Sequence, residues 1–271
     1  MRVAELLLAG LEDSAKFESA VDAADETDLA AVLELTDHSD ARLRLAVAST
    51  LPFLTHGDPP TEQMVAAAIR LTLDTDKKVR DRACFVLAEQ WREIDTPEVR
   101  DALAARLDDI DRETRSEVLV GLAYRRDPRA LPRVRSALSR SSGDVWGLEM
   151  VAAGALSDPG LHDLVQRHQS DWSTETEART AEAVLRLTDP AGPGDDLFDE
   201  VAKMYRRRAR GLPDGDSSAA WQHLAEMLDV APHRATEFLQ AVLTRVAGDT
   251  ATENEVRERS ALAQLVTEGH A

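Results

Sequence analysis

The sequence predicts an all-α protein built from repeated pairs of antiparallel helices. An aspartate followed four residues later by an arginine occurs at Asp40, Asp76 and Asp111, at steps of 36 and 35 residues. Apolar residues recur at helical spacing after each aspartate, and no segment alternates apolar and polar residues over the length of a strand. The chain is 43% hydrophobic with only 4% aromatic residues, which is typical of closely packed helices with small side chains. A fixed repeat of this length indicates an α-solenoid.

The charge balance of the 271-residue chain bears on its partners. The net charge is −18. Affinity for phosphate backbones comes from basic side chains that release condensed counterions, so this balance disfavours nucleic acid as a partner. An excess of negative charge also keeps a protein soluble, which is the simpler interpretation.

The cysteine content and the apolar segments predict a cytoplasmic protein without a membrane partner. The single cysteine, Cys84, lies among apolar residues of a predicted helix, which favours a structural thiol in a reducing compartment. The apolar start of the chain is short and contains Glu5, so it predicts a first helix. No apolar run approaches the roughly 18 residues of a membrane span.

Residues 1–36 are predicted to form an acidic cap of three short helices, Arg2–Leu11, Ser14–Ala24 and Asp28–Leu35. The terminal repeat of an array must present a polar outer face to water, which favours the cap. An acidic docking surface for a basic partner is the alternative.

Residues 37–190 are predicted to form the repeats, each with a first and a second helix. Thr61, Thr96, Asp127 and Asp158 each lie beside a proline and supply an oxygen suited to capping a helix start. The predicted first helices are Thr61–Leu73, Pro97–Leu107, Pro128–Ser139 and Pro159–Gln169. The predicted second helices are Asp40–Leu54, Asp76–Ile94, Asp111–Arg125, Asp144–Leu156 and Glu175–Leu187.

The recurring charged pair is interpreted as a structural motif. Its members are Asp40 and Arg44, Asp76 and Arg80, and Asp111 and Arg115. Each aspartate can accept backbone N–H bonds at a helix start, and each arginine can pair with its own aspartate or with that of the neighbouring repeat. Three copies of one spacing argue against a catalytic dyad.

The motif resembles HEAT repeats, particularly the short bacterial kind first named from phycobilisome lyases, in which an Asp precedes a Val-Arg pair and an Ala. D76-K-K-V-R-D-R-A83 is the best copy. The resemblance implies a right-handed superhelix with the second helices on its concave side. The fourth copy departs from the pattern: Leu148 replaces the arginine, and Gly147 and Gly154 should each loosen the helix by roughly 1 kcal/mol. The fifth copy has Glu175 in place of the aspartate and keeps Arg179, but Glu182 and Arg186 fall at positions where core residues are expected.

The segment D189-P-A-G-P-G194 predicts a boundary because proline and glycine interrupt helices. Residues 191–271 are predicted to form C-terminal helices, either degenerate repeats or a small bundle, at Asp196–Ala209, Asp216–Asp229, His233–Val246 and Thr252–Thr267. The basic run Arg206–Arg208 with Tyr205 could contact phosphate or bases. Pairing with nearby carboxylates, such as those of Asp195 and Asp199, is the favoured interpretation.

No constellation for metal binding or catalysis is visible. His162 and His168 are too far apart to share a helix face, and the sequence lacks a His-Glu dipeptide, a phosphate-binding glycine loop and a nucleophile elbow. We therefore expect no cofactor and no enzymatic activity, and interpret the chain as a scaffold or adaptor for a protein or peptide partner. The alternatives are a lyase-like accessory subunit and a HEAT-type nucleic-acid-binding protein.

The expected partner-binding surface is a stripe along the second helices, opposite their core face. It mixes charged side chains with scarce aromatic ones, a combination typical of binding hot spots. Packing of Phe85 onto the adjacent repeat is the alternative. The stripe contains Arg42, Phe53, Lys78, Arg82, Phe85, Glu89, Glu117, Val120 and Tyr124.

Overall fold

The computed structural model of the protein describes residues 26–55, 58–172 and 174–259. Within these ranges all regular secondary structure is helical, as the sequence predicts, and no helix combines the length and apolar content that crossing a membrane requires. The predicted helices Arg2–Leu11 and Ser14–Ala24 lie outside the described residues. The chain divides after Ala130 into two compact units.

The first unit contains consecutive helix pairs. Second helices α2, α4 and α6 pack side by side, while first helix α3 packs on α4 and first helix α5 packs on α6. The described α-helices of this unit are α1 (Glu26–Glu34), α2 (Ala41–Thr50), α3 (Glu62–Leu71), α4 (Lys77–Phe85), α5 (Pro97–Ala104) and α6 (Arg112–Tyr124). First and second helices thus form two layers, with the predicted core positions Val79, Ala83 and Leu87 buried between them.

Polar side chains start the helices of the first unit where the sequence predicts. Thr61 and Thr96 accept the backbone N–H of the residue three positions later, and Asp111 does the same. The Asp40 carboxylate accepts from the N–H of Arg42, and that of Asp76 accepts from two N–H groups. Each bond satisfies a donor that the first helical turn leaves without a partner.

Two second helices end earlier than predicted. α2 stops at Thr50, and Phe53 belongs to a separate 3₁₀ turn. α4 passes at Val86–Gln90 into a five-residue π-helical turn, so the predicted helix Asp76–Ile94 is not a continuous α-helix. The 3.6-residue periodicity of the sequence did not distinguish the 3₁₀ turn or the π-helical turn from α-helix.

The second unit also consists of packed helices. α8, α10 and α12 lie side by side, α9 packs on α10, and α11 packs on α12 and α13. Its helices are α7 (Ala130–Leu138), α8 (Gly147–Leu156), α9 (His162–His168), α10 (Glu175–Thr188), α11 (Asp195–Arg208), α12 (Ser218–Val230), α13 (Ala235–Val246) and α14 (Thr250–Arg259). The part of the predicted helix Thr252–Thr267 beyond residue 259 lies outside the described residues.

Gly154 has a packing role in addition to its effect on helix propensity. A Cβ atom at this position would lie 2.5 Å from Cγ1 of Val230 and 2.8 Å from Cγ2 of Val184. The glycine therefore lets α8 approach both α12 and α10. Gly147 is the first residue of α8 and lies outside the helix interior, where a glycine is most destabilising.

Candidate functional site

Each motif arginine of the first unit holds the loop that precedes its own second helix. Its Nη1 atom donates to two backbone carbonyl oxygens, five and six residues earlier in the chain. The acceptors are His38 and Ser39 for Arg44, Asp74 and Thr75 for Arg80, and Asp109 and Ile110 for Arg115. The arginines thus fix the geometry at the entry to each second helix.

Two of these arginines also reach the next repeat. Nη2 of Arg44 donates to Oδ1 of Asp74 at 2.8 Å, and Arg80 binds both carboxylate oxygens of Asp109 at 2.9 and 3.0 Å. The Asp74 and Asp109 side chains are 6% and 1% exposed. Hydrogen bonds from the arginines hold the pKa of both carboxyls below the usual range and raise the pKa of both guanidiniums. These pairs form a ladder between repeats.

The ladder uses a different aspartate from the predicted one. Asp74 and Asp109 lie two residues before the capping residues, Asp76 and Asp111, and each also accepts its capping residue's backbone N–H, at 2.8 and 3.0 Å. The sign of these additional aspartates in the sequence was an Asp-x-Asp spacing, which occurs in two copies. The equivalent residue before Asp144 is Ser142, which cannot supply a carboxylate.

Most of the predicted stripe reaches the surface of the first unit. Phe53 is 52% exposed. Arg42, Lys78 and Arg82 are exposed, whereas the other members are half-buried: Phe85, Glu89, Glu117 and Tyr124. We call these eight residues the docking arc.

Val120 is not part of this surface, although the sequence analysis placed it in the stripe. It is 0% exposed. Every residue of α6 from Val118 to Ala123 is buried, so this part of the helix presents no outward arc before Tyr124. Helical periodicity could locate one buried face of α6 but not its burial on all sides.

The two half-buried aromatic rings of the docking arc each lie beside an arginine. The Arg82 guanidinium carbon is 5.2 Å from the centre of the Phe85 ring, and that of Arg92 is 5.6 Å from the centre of the Tyr124 ring. In a cation–π contact of this kind the guanidinium is attracted to the face of the ring. Arg92 was not among the predicted site residues.

Glu117 is an acid of the docking arc with a strongly raised pKa. Burial, reinforced by the negative charges of Glu89 and Asp81, raises its pKa to about 8, and Arg82 offsets part of this effect. Its Oε2 atom is buried and has no hydrogen-bond partner among the described residues. Ionisation of Glu117 is therefore opposed by the neighbouring acids and is not supported by a donor to Oε2.

A second group of carboxylates extends this acidic region. Asp81, Asp111 and Glu113 each place one oxygen within 4.8 Å of the others. Burial and the charges of Glu113 and Asp111 raise the pKa of Asp81. Lys77 lies 3.4 Å from Asp111. These contacts describe a surface with excess negative charge, which favours contact with cations.

Arg125 supports the π-helical turn beneath the docking arc. It is 5% exposed, and its guanidinium donates to four backbone carbonyl oxygens, those of Leu87, Trp91, Ile94 and Gly121. Burial lowers its pKa to about 10. This role of Arg125 could not be predicted from the sequence, because the interaction depends on backbone groups that the preceding helix leaves without partners.

Arginines of the basic run on α11 bind side-chain and backbone groups of the loop that follows this helix. Arg208 binds both carboxylate oxygens of Asp214 at 2.6 and 2.7 Å, and Arg207 donates to the carbonyl oxygen of Pro213 at 2.6 Å. Tyr205 is fully buried and cannot stack on a base. The predicted carboxylates Asp195 and Asp199 bind Arg245 instead, so they are not the partners of the basic run.

Cys84 and His168 occupy structural positions. Cys84 is buried, and burial raises the pKa of its thiol. His168 is 3% exposed, with Nε2 at 2.8 Å from the carbonyl oxygen of Leu138 and Nδ1 at 3.0 Å from Asp171. Both side chains are therefore enclosed within the fold.

The family of HEAT repeats matches residues 62–157. The X-ray structure of YibA from Escherichia coli is similar at a TM-score of 0.49 and 20% sequence identity, over 68% of this chain and 68% of that chain. No curated protein matches the chain. HEAT repeats generally mediate protein interactions on a non-catalytic scaffold. Residues 62–157 thus match the family that D76-K-K-V-R-D-R-A83 resembles.

Proposed function

We propose that the chain is a non-catalytic scaffold or adaptor for a protein or peptide partner. The partner binds the docking arc of the first unit through lysine or arginine side chains of its own. The observation that carries the proposal is the environment of the Glu117 carboxyl group. It lies beside two other acids that help to raise its pKa to about 8, and its Oε2 atom is buried without a hydrogen bond among the described residues. A lysine or arginine of a partner would favour the ionised form of Glu117 and supply the donor that Oε2 lacks.

The neighbouring aromatic side chains suit the same role. Phe85 and Tyr124 are half-buried on adjacent second helices, and Phe53 is 52% exposed on the preceding repeat. Aromatic residues surrounded by charge frequently dominate binding energy because they bury a large area with little loss of conformational freedom. The arc thus offers apolar contacts beside a cation-binding region.

The net charge of the chain also bears on the class of partner. The chain carries a net charge of −18. Affinity for a phosphate backbone comes from basic side chains that release condensed counterions, so this balance disfavours such a partner. We therefore propose a protein partner in preference to a nucleic acid, with the acidic residues 1–36 capping the array.

The proposal can be tested by affinity purification from the native cell extract, followed by titration of the retained protein. We expect Phe85→Ser combined with Tyr124→Ser to weaken its binding by at least about 2 kcal/mol. Leu212→Ser is the matched control, because Leu212 is 48% exposed but lies in the second unit. Unchanged binding by the double variant, with its helicity retained, would contradict the proposal.

A further inference from the structure

The second unit contains an apolar pocket that the docking arc does not include. It has a volume of about 150 Å³ and lies between the second helices α8 and α10. Its accessible wall consists almost wholly of carbon atoms. The principal lining residues are Gly147, Met150, Val151, Trp172, Thr176 and Ala181.

The pocket exists because one wall lacks a side chain. A Cβ atom added to Gly147 would have only Cζ3 of Trp172 nearby, at 3.7 Å. The hydroxyl of Thr180, which also lines the pocket, donates to Glu226 at 2.5 Å. That hydroxyl is therefore already satisfied, and the pocket retains its apolar character.

The size of the pocket restricts its occupant. Sites for cofactors and comparable small molecules usually have volumes of about 300–1,000 Å³. A cavity of about 150 Å³ with apolar walls accommodates a group the size of benzene. The pocket therefore fits one apolar side chain and is too small for a complete cofactor.

Trp172 forms part of the pocket wall. Its Nε1 atom is buried and has no hydrogen-bond partner among the described residues. A buried donor without an acceptor is unfavourable. An entering peptide whose backbone carbonyl oxygen reached Nε1 would gain a hydrogen bond that a hydrocarbon cannot make.

The rim of the pocket is acidic. Glu175 and Glu177 lie in the first turn of α10 and are exposed. Glu177 itself lines the pocket, while the Glu175 carboxylate lies 3.8 Å from Arg179. Electrostatic complementarity favours a lysine or arginine next to the apolar side chain.

We propose that this pocket is a second binding site, which takes one aliphatic side chain from a segment of a protein partner that carries a basic residue beside it. The inference rests on the proposed role of the chain in binding proteins, but it does not require the docking arc. The two sites lie on different units and can be inactivated separately.

Selection of random peptides displayed on phage, with the full chain as the target, tests this site directly. We expect the enriched peptides to share one aliphatic position next to lysine or arginine. Gly147→Leu should fill the pocket and weaken binding of the synthesised peptides about tenfold or more, whereas Gly147→Ala, which adds one methyl group in ordinary van der Waals contact with Trp172, should change it little.

The controls separate this inference from the docking arc. Peptides that bind the Gly147→Leu variant as tightly as the unaltered chain, or a selection without a shared aliphatic position, would overturn the proposed pocket. Binding that depends on Phe85 and Tyr124 alone would support the docking arc and overturn the pocket. A concentration-dependent dimer that Gly147→Leu abolishes would assign the pocket to a second copy of the chain instead. Equal thermal unfolding of the two Gly147 variants would establish that the fold is retained.

Discussion

Arg80 and Asp109 form a two-point ion pair between consecutive repeats, although they are 29 residues apart in the chain. The Asp109 side chain is 1% exposed, and the same arginine holds two carbonyl oxygens of its own loop. A single guanidinium thus joins the entry loop of one second helix to that of the next. Arg44 and Asp74 repeat the arrangement one step earlier.

We predict that Arg80→Ala destabilises the protein by about 3 kcal/mol, because it leaves a buried carboxylate without its main partner. This loss of stability is at the lower end of the range for a broken buried ion pair, because Arg106 remains 3.6 Å from Asp109. Arg42→Ala is the control, because Arg42 pairs with Asp40 on the surface. Urea unfolding should separate the two variants. Fully additive effects of Arg80→Ala and Asp109→Ala would contradict a direct coupling.

We predict that Asp76→Ala destabilises by about 0.5–2 kcal/mol through loss of an N-cap. The Asp76 carboxylate accepts the N–H groups of Lys78 and Val79. Asp76→Asn retains a side-chain oxygen and should recover most of the loss. Equal unfolding midpoints for the alanine variant and the unaltered chain would exclude a capping role.

The capping positions and most second-helix core faces could be predicted from the sequence, because both depend on residues close together in the chain. The ladder partner of Arg80 could not, because pairing across 29 residues depends on how adjacent loops meet. The same limit applies to Val120, whose burial on α6 depends on neighbours outside its own helix. The π-helical turn also depends on a distant residue, Arg125.

We predict that Gly154→Ala destabilises the second unit, although alanine favours helix more than glycine does. The new methyl group would meet Val230 and Val184 at distances shorter than van der Waals contact. Overpacking of this kind costs about 1–3 kcal/mol, which exceeds the gain in helix propensity of about 1 kcal/mol. Thermal unfolding would show the effect, with Gly147→Ala as the control. A more stable Gly154→Ala variant would refute the close approach.

We predict that Glu117 makes the protein less stable as the pH rises from about 4.5 to about 8. Its pKa is about 8 in the folded protein against an ordinary value of 4.5, so the folded state binds the extra proton in this interval. The free energy of unfolding falls as the pH rises wherever the folded state binds more protons than the unfolded state does. Glu117→Gln removes this dependence and should become progressively more stable than the unaltered chain toward pH 8. A stability difference that does not change with pH would contradict the raised pKa.

Hydrogen–deuterium exchange of the full chain, measured with and without a partner whose binding depends on Phe85 and Tyr124, would locate the bound surface. We expect slower exchange in the segment from Lys78 to Arg92 and at Glu117 and Tyr124 of α6, because these residues form or adjoin the docking arc. Protection confined to the first helices α3 and α5, with no change in the docking arc, would contradict it.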